Sequence, residues 1–361
     1  MASNIQPRKL VQRYFAERYL LITILSFAFS LAATRFFLNL TGYPQLGNST
    51  LHIAHVLWGG LLLFAGGLLP LIFASRRAFD LSALTLGLGM GLFIDEIGKF
   101  ITRSNDYFFP AATPIIYAFL LLTIFVFLRV RASHPENLRS ALYHVFEQFE
   151  ELLEDDLSRL ERDNMLASLQ NALKDDTNAG LGIIARDIIA YLNRQESALV
   201  PHQPDLFENL MLRLLGLESR WFRRRRFFNT LLLVWVLWGL ITLAHPMLAL
   251  LAAQTRLNLT GLAASLLTSD LLDLNDLSIT GIIRLVGEAL CGGMLVLTLA
   301  LAALKKKSAA LSLAQVALLS SLLLVNLFVF YYDQFSAFLY AFIQFVILLI
   351  TLRYKRWVDE N

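Results

Sequence analysis

The stretch GLGMGLFIDEIGKF, residues 87–100, decides what kind of protein this chain is. It places Asp95, Glu96 and Lys99 inside a run that is otherwise apolar enough to cross a lipid bilayer. An unpaired ionised group in hydrocarbon costs several kcal/mol, so such groups face protein or water and find partners there. We therefore expect these three side chains to point into a helix bundle.

The composition of the whole chain favours the same interpretation. Of its 361 residues, 57% are hydrophobic and 16% are charged, whereas soluble domains have about 45–50% apolar and about 25% charged residues. The single cysteine, Cys291, lies in an apolar run and excludes an intrachain disulfide. The composition indicates an integral membrane protein.

Hydropathy predicts eight transmembrane helices. A span needs about 20 predominantly apolar residues, and eight segments reach that length: 18–39, 51–74, 81–102, 112–131, 227–253, 277–303, 310–331 and 335–353. The predicted fold class is therefore all-α, a polytopic helical membrane protein of about eight spans. A cleaved signal peptide ending near residues 30–32 is the alternative for the first span, although the apolar run continues past that point.

The lysines and arginines beside the spans predict the orientation. They cluster on one side, at residues 8–13, 76–77, 129–131, 223–226, 305–307 and 353–356. The other side offers only Arg103 and Arg256. By the positive-inside rule both termini are cytoplasmic and the chain lies in the cell membrane, which is the inner membrane if the source is bacterial.

We expect three parts: a first membrane half of four spans at 1–131, a cytoplasmic helical domain at 132–226, and a second membrane half at 227–361. Residues 136–164 repeat apolar side chains at a helical period and predict one long amphipathic helix, followed by helices at 181–198 and 204–222. The apolar stripe of this domain must pack on itself, on the membrane-facing loops or on another subunit of a homo-oligomer.

The charges of this domain suggest its partners. The six carboxylates within residues 147–156 are typical of a solvated helix face, with a calcium site or an acidic binding surface as the alternative. Arg223, Arg224, Arg225 and Arg226 suit anionic lipid headgroups, at about 1 kcal/mol per side chain. Nucleic acid is not expected, because no aromatic interleaving or binding motif accompanies these arginines.

The polar side chains inside the predicted spans lie toward the outer ends, given a rise of about 1.5 Å per residue. They are Arg35, His52, His55, Asp95, Glu96, Lys99, His245, Arg284, Glu288 and Asn326. The cytoplasmic halves carry no comparable set. This asymmetry predicts one polar cavity, open to the outside, whose charge, proton or substrate cluster consists of Asp95, Glu96, Lys99, Arg284, Glu288 and Asn326.

Helical phase indicates how the second and third spans meet. His52, His55, Gly59 and Gly66 share one face, and Gly87, Gly91 and Asp95 share another. Small residues let membrane helices approach closely, so both faces are expected to contact protein. If the two spans are antiparallel neighbours, His55 meets the segment 95–99.

Three chemistries fit these residues. His52, His55, Glu96 and His245 have the donor types of a zinc, iron or manganese site. Asp95 with Lys99, and Arg284 with Glu288, have the i,i+4 spacing of simple intramembrane ion pairs. In that case Glu96 remains as a proton carrier or general base.

Two similarities bear on identity. The segments HIAHVLWGG (52–60), GLFIDEIGKFIT (91–102) and NDYFFP (105–110) resemble a group of uncharacterised bacterial polytopic membrane proteins, a resemblance that implies no activity. Within the chain, VLWG at 236–239 repeats VLWG at 56–59 and hints that the two membrane halves are repeats.

The sequence thus supports three hypotheses of different classes. A carrier of a small solute or ion would use the buried charges for proton binding and charge compensation. A metal-dependent membrane enzyme would use the histidines and Glu96 as ligands. A membrane sensor or scaffold would use the cytoplasmic helices as its output. Because no metal ligand set is complete, transport is the favoured hypothesis.

Overall fold

The computed structural model describes residues 10–42, 54–131, 137–153, 157–174, 179–194, 216, 221–222, 226–255, 279–334 and 337–360. All regular elements in these ranges are helical. They are α1 (Ala16–Thr41), α2 (His55–Ile72), α3 (Arg76–Asp95), α4 (Ile97–Ile101), α5 (Ala112–Arg131), α6 (Leu138–Leu153), α7 (Arg159–Lys174), α8 (Ala179–Arg194), α9 (Phe227–Thr255), α10 (Ile279–Ala303), α11 (Lys307–Ser320), a π-helical turn (Ser321–Val325), α12 (Asn326–Asp333) and α13 (Ala337–Glu360).

Eight of the described segments are long and apolar enough to cross a membrane, which confirms the predicted fold class. They are Ala16–Thr41, His55–Ile72, Arg76–Asp95, Ala112–Arg131, Phe227–Leu251, Ile279–Ala303, Lys307–Asp333 and Ala337–Asp359. The seventh contains α11, the π-helical turn and α12.

The chain divides into two compact units. The first comprises residues 1–96 and 122–205, and the second comprises residues 97–121 and 206–361. Helix α5 therefore contributes its two ends to different units. The three-part division expected from the sequence stays a prediction.

In the first unit, α3 packs between α1 and α2 through glycines on two of its faces. A Cβ added at Gly87 would collide with Ser26 of α1, and one added at Gly91 would lie 2.6 Å from the Cβ of Ser30. On the other face, a Cβ at Gly59 of α2 would lie 2.9 Å from the carbonyl oxygen of Gly89. The small-residue faces thus contact protein, as predicted, because only glycine lets these backbones approach so closely.

Helix α3 ends inside the predicted third span. Asp95 is its last residue, Glu96 lies in a turn, and the short helix α4 follows. The sequence predicted a continuous helix from 81 to 102. The break brings two adjacent carboxyl groups to a helix end.

Helices α6, α7 and α8, which we call the inserted helices, belong to the first unit and have their own apolar core around Leu138, Val145, Met165 and Leu192. The prediction of one helix over 136–164 is wrong, because α6 ends at Leu153 and α7 begins at Arg159. The predicted helix at 181–198 corresponds to α8. Most of the predicted helix at 204–222 lies outside the described residues.

A capping box starts α7 and explains the break. The Ser158 hydroxyl accepts from the Glu161 N–H at 3.3 Å, and the Glu161 carboxylate accepts from the Ser158 N–H at 3.0 Å. This reciprocal pair satisfies backbone groups that an uninterrupted helix would bond differently. A new helix therefore begins although the apolar period continues.

The described carboxylates of α6 contact other parts of their own unit instead of facing solvent as predicted, while residues 154–156 of the predicted acidic run lie outside the described residues. The Glu150 carboxylate accepts from the Arg76 backbone N–H, at 2.8 and 3.0 Å, and Glu151 pairs with the Arg76 guanidinium at 2.5 Å. Glu147 pairs with Arg13 at 2.6 Å. Arg76 is the first residue of α3, so the carboxylate of Glu150 also satisfies a free N–H at a helix N-terminus.

In the second unit, α9 and α10 cross at a glycine pair like that between α2 and α3. A Cβ at Gly239 would lie 2.8 Å from the Gly292 carbonyl oxygen, and a Cβ at Gly292 would lie 2.9 Å from that of Gly239. A large apolar core formed around Trp235, Leu318 and Leu348 joins α9, α11 and α13.

Candidate functional site

The first group of buried polar side chains, which we call the Asp95 cluster, lies in the first unit. Asp95 at the end of α3 is 0% exposed, and Glu96 in the following turn is 1% exposed. Arg35 on α1 is also buried, and His55 is the first residue of α2. Three membrane helices thus each bring a polar group to one place.

The contacts of this cluster are short and specific. Arg35 Nε donates to the Asp95 carboxylate, and Arg35 Nη2 donates to the backbone carbonyl of Asp95 at 3.0 Å. His55 Nε2 lies 3.0 Å from Asp95 Oδ2, and His55 Nδ1 lies 3.1 Å from Glu96 Oε1. The expected meeting of His55 with the segment after α3 is therefore confirmed.

The hydrogen-bonding chemistry of His55 limits how it can contact two carboxyl groups at once. A carboxylate only accepts hydrogen bonds, and a neutral imidazole has one donor and one acceptor nitrogen. His55 can therefore face Asp95 and Glu96 together only as the imidazolium, or as the neutral ring if one carboxyl is protonated. In either case Arg35, two carboxyl groups and His55 sum to zero charge with one proton bound.

The second group, which we call the Glu288 cluster, lies in the second unit. Glu288 accepts from Arg284 Nε at 2.9 Å and lies 2.7 Å from His245 Nδ1. The guanidinium of Arg284 also donates to both oxygens of Asp333, at 3.1 and 2.6 Å. The predicted ion pair between Arg284 and Glu288 is confirmed, and it belongs to a larger network.

The two clusters have the same composition. Each contains one arginine, one histidine and two carboxyl groups, and in each a histidine on one helix meets a carboxylate on the neighbour that it crosses at a glycine pair. His55 lies four residues before Gly59, and His245 lies six residues after Gly239. The single cavity holding all these residues stays a prediction, since the clusters belong to different units.

The remaining predicted site residues have other contacts or lie outside the described residues. Lys99, in the second unit, lies 5.3 Å from the ring centroid of Tyr107, and its predicted pairing with Asp95 stays a prediction. Asn326 begins α12, where its Nδ2 donates to Gln344 Oε1 at 2.8 Å. His52 lies outside the described residues, as do three of the four arginines expected at lipid headgroups.

The described residues give little support to a metal site. Among them, no group of three or more His, Cys, Asp or Glu side chains could hold a metal ion. Both ring nitrogens of His55 already face carboxyl oxygens, and His245 Nδ1 faces Glu288. The proposed ligands His55 and Glu96 thus bind each other, and His245 belongs to the other unit.

Sequence reasoning left two members out of the predicted site. Arg35 lies near the outer end of the predicted first span, and Asp333 lies between the predicted seventh and eighth spans. The rule that each buried carboxylate needs a cation would have predicted Arg35 as a partner of Asp95. The same rule, applied to the buried arginine at 284, would have predicted Asp333 as a further partner. Neither partner is near in sequence, at separations of 60 and 49 residues.

Comparison with known proteins adds no assignment. No protein-family model matches the chain, no curated protein matches it, and no solved structure matches it. The site must therefore be interpreted from its own geometry.

Proposed function

We propose that this chain is a membrane carrier that moves a small solute or ion and couples the movement to a proton bound at the Asp95 cluster. One observation carries the proposal: His55 bridges Asp95 and Glu96, two carboxyl groups that are 0% and 1% exposed. Ionisable groups at membrane depth are costly and typically mark ion or proton pathways.

Charge balance supports this function. With one proton the charges of Arg35, His55, Asp95 and Glu96 sum to zero, and loss of that proton makes the sum more negative by one. Since a change of charge at buried groups alters the electrostatic energy of the helices that carry them, proton loss favours another arrangement of these helices. A protonation step tied to a structural change is what a coupled carrier requires.

The distribution of basic residues supports the location. We infer that both termini and the inserted helices face the cytoplasm, because arginines and lysines flank the spans on that side. The Asp95 cluster then lies toward the outer surface, where protons and solutes arrive. The resemblance to bacterial polytopic membrane proteins agrees with a place in the inner membrane.

Charge displacement after a pH jump tests the proposal without knowledge of the solute. Proteoliposomes adsorbed on a solid-supported membrane should give a transient current when the external pH changes, because protons enter the protein within the membrane field. His55→Gln and Glu96→Gln should reduce the current to the background of empty liposomes. Asp163→Asn, which alters a carboxylate of the inserted helices with 60% of its side chain exposed, should retain it.

Two results would count against a proton-coupled carrier. Currents of equal size in the wild type and in both cluster variants would separate proton binding from the Asp95 cluster. Absence of any current above the lipid background in the wild type, with correctly inserted protein, would remove proton coupling altogether.

The sensor hypothesis receives support from one specific contact and stands as a second candidate. The inserted helices hold the first residue of α3 through Glu150 and Glu151, and the last residue of α3 is Asp95. A signal at the Asp95 cluster can therefore reach these helices through a single rigid helix. Protease protection of α6 that differs between low and high pH in the wild type, but not in His55→Gln, would favour this role.

A further inference from the structure

We propose that the interior of the second unit binds a small uncharged polar molecule, and that Trp238, Ser321 and Asn326 hold it. As a ligand site the proposal stands alone; as the site of the transported solute it rests on the proposed carrier function. The three residues are 8%, 2% and 1% exposed.

Each of these residues has a buried polar atom that lacks a partner. Among the residues that the structure describes, Trp238 Nε1, Ser321 Oγ and Asn326 Oδ1 make no hydrogen bond. Buried polar groups in proteins are almost always satisfied, and an unsatisfied one is costly where no bulk water is near. These three atoms are the hydrogen-bonding groups that a molecule bound in this unit would satisfy.

A chain of contacts brings the three residues to the same region. The ring of Trp238 stacks on that of Tyr340, with centroids 4.7 Å apart. Gln344, one helical turn after Tyr340 on α13, accepts from Asn326. The Asn326 backbone N–H donates to the Ser321 carbonyl across the π-helical turn.

The π-helical turn itself points to a binding role. Such turns are rare, and they occur frequently at functional sites because they free backbone groups from the helical ladder. Here the Leu322 carbonyl accepts from the Tyr117 hydroxyl at 2.8 Å. The turn also links two of the three residues directly, because the Asn326 backbone N–H donates to the carbonyl of Ser321, five residues earlier.

The chemistry of the open groups selects an uncharged ligand. An indole N–H only donates, an amide oxygen only accepts, and a hydroxyl does both. The buried charged residues described in this unit bind each other, since Arg284 pairs with Glu288 and also with Asp333. A ligand with both a donor and an acceptor, such as a polyol or a primary amide, satisfies all three atoms, whereas a metal cation would be opposed by the indole N–H.

A matched pair of variants tests whether the Trp238 N–H is unpartnered. Trp235 lies one turn away on α9, is fully buried, and donates to Thr351 Oγ1 at 3.0 Å. Trp235→Phe and Trp238→Phe remove similar ring volume, but only the first removes an internal hydrogen bond. Trp235→Phe should therefore have the lower melting temperature in ligand-free protein. Equal melting temperatures, or a lower one for Trp238→Phe, would overturn the proposal.

Ligand-dependent melting is the second part of the test. Purified full-length protein is heated with glycerol, myo-inositol or acetamide at millimolar concentration, below the range where osmolytes act non-specifically. At least one probe should raise the melting temperature of the wild type and of Trp235→Phe. In Trp238→Phe and Ser321→Ala its apparent affinity should fall about fivefold to tenfold.

Three outcomes of the ligand experiment would overturn the inference: no shift with any probe, a shift unchanged in Trp238→Phe and Ser321→Ala, or a shift with sodium chloride alone. The pH-jump currents of the Asp95 cluster do not depend on these residues. A failed ligand test therefore leaves the carrier proposal intact, and absent currents leave the ligand site intact.

Discussion

Asp95 is held by side chains from two other helices, and this arrangement determines how substitutions around it should behave. Its carboxylate binds Arg35 of α1 and His55 of α2, and no part of it reaches solvent. Removing one partner of a buried ion pair costs more than the intact pair contributes, because the remaining charge loses most of its compensation without regaining water.

Arg35→Leu should therefore lower the free energy of unfolding by about 3–5 kcal/mol. Arg18→Leu is the matched control on the same helix, because Arg18 pairs with Asp80 where both side chains are partly exposed, and its loss should cost at most about 1 kcal/mol. Steric trapping in bicelles measures both values.

The double variant Arg35→Leu with Asp95→Asn should recover part of the lost stability, because a neutral amide does not need the guanidinium to balance its charge. A loss of stability in the double variant equal to the sum of the losses in Arg35→Leu and Asp95→Asn would show that the two residues act independently, contrary to the geometry.

At the scale of helices, the glycine crossings give the sharpest expectation. Gly59 and Gly60 are adjacent on α2, but a Cβ at Gly59 would lie 2.7 Å from the Phe93 backbone nitrogen, whereas a Cβ at Gly60 would meet nothing within 4 Å. Gly59→Ala should lower the melting temperature substantially, because backbone atoms cannot move aside as a flexible side chain can. Gly60→Ala should leave it unchanged or raise it slightly, since alanine favours the helix.

The same comparison is available in the second unit. A Cβ at Gly292 would lie 2.9 Å from the Gly239 carbonyl oxygen, and one at Gly293 would meet nothing within 4 Å. We expect Gly292→Ala to melt well below Gly293→Ala. Similar melting of the two variants would mean that α9 and α10 do not cross as described.

The contact between α6 and α3 should depend on pH. Burial raises the pKa of the Glu151 carboxyl to about 7, and the charge of Glu161 adds to this effect against that of Arg76. The folded protein therefore keeps a proton that the unfolded chain, with a glutamate pKa of about 4.3, has already lost. The free energy of unfolding falls as pH rises from about 4.3 to about 7 because of this group.

Glu151→Gln has no proton to lose, so it should gain stability relative to the wild type as pH increases. The melting temperature of the variant minus that of the wild type, measured at about pH 5 and about pH 8, should be larger at the higher pH. A difference that is the same at both pH values would contradict the raised pKa.

Helix pairing could be predicted from sequence where a local pattern encodes it. The glycines of α2 and α3 recur at helical spacing, so their packing faces were evident before the structure. The end of α6 was not evident from the sequence, because the apolar period of this helix continues across the break. The decisive signal was the pair Ser158 and Glu161, whose spacing is that of a capping box.

At the scale of the whole molecule, the eight spans followed from composition alone, because lipid imposes length and apolarity on every crossing. The grouping of the polar residues within these spans did not follow from composition. Arg35 with Asp95, and Arg284 with Asp333, are contacts between distant parts of the chain that no local period encodes. Residue types and depths therefore predicted most members of the site, whereas the division into two clusters required the fold.

The predicted topology is open to a direct test. In a Cys291→Ala background, single cysteines replace the exposed residues Arg77, Lys306 and Asp106. A membrane-impermeant maleimide added to intact cells should label the cysteine at 106 and spare those at 77 and 306, which react after lysis. Labelling of all three from one side, or of 77 and 306 from opposite sides, would reject the eight-span orientation.

The two hydrogen bonds that Arg35 donates to Asp95, one to the carboxylate and one to the backbone carbonyl, have a mechanical consequence. One guanidinium binds the carboxylate and also the last carbonyl of α3, so it neutralises a charge and fastens a helix terminus at once. Any sliding of α1 along α3 loosens both attachments together. Because the two partners lie on different helices, a displacement of α1 would change the electrostatic environment of Asp95, and by reciprocity a change of charge at Asp95 would favour a displacement of α1.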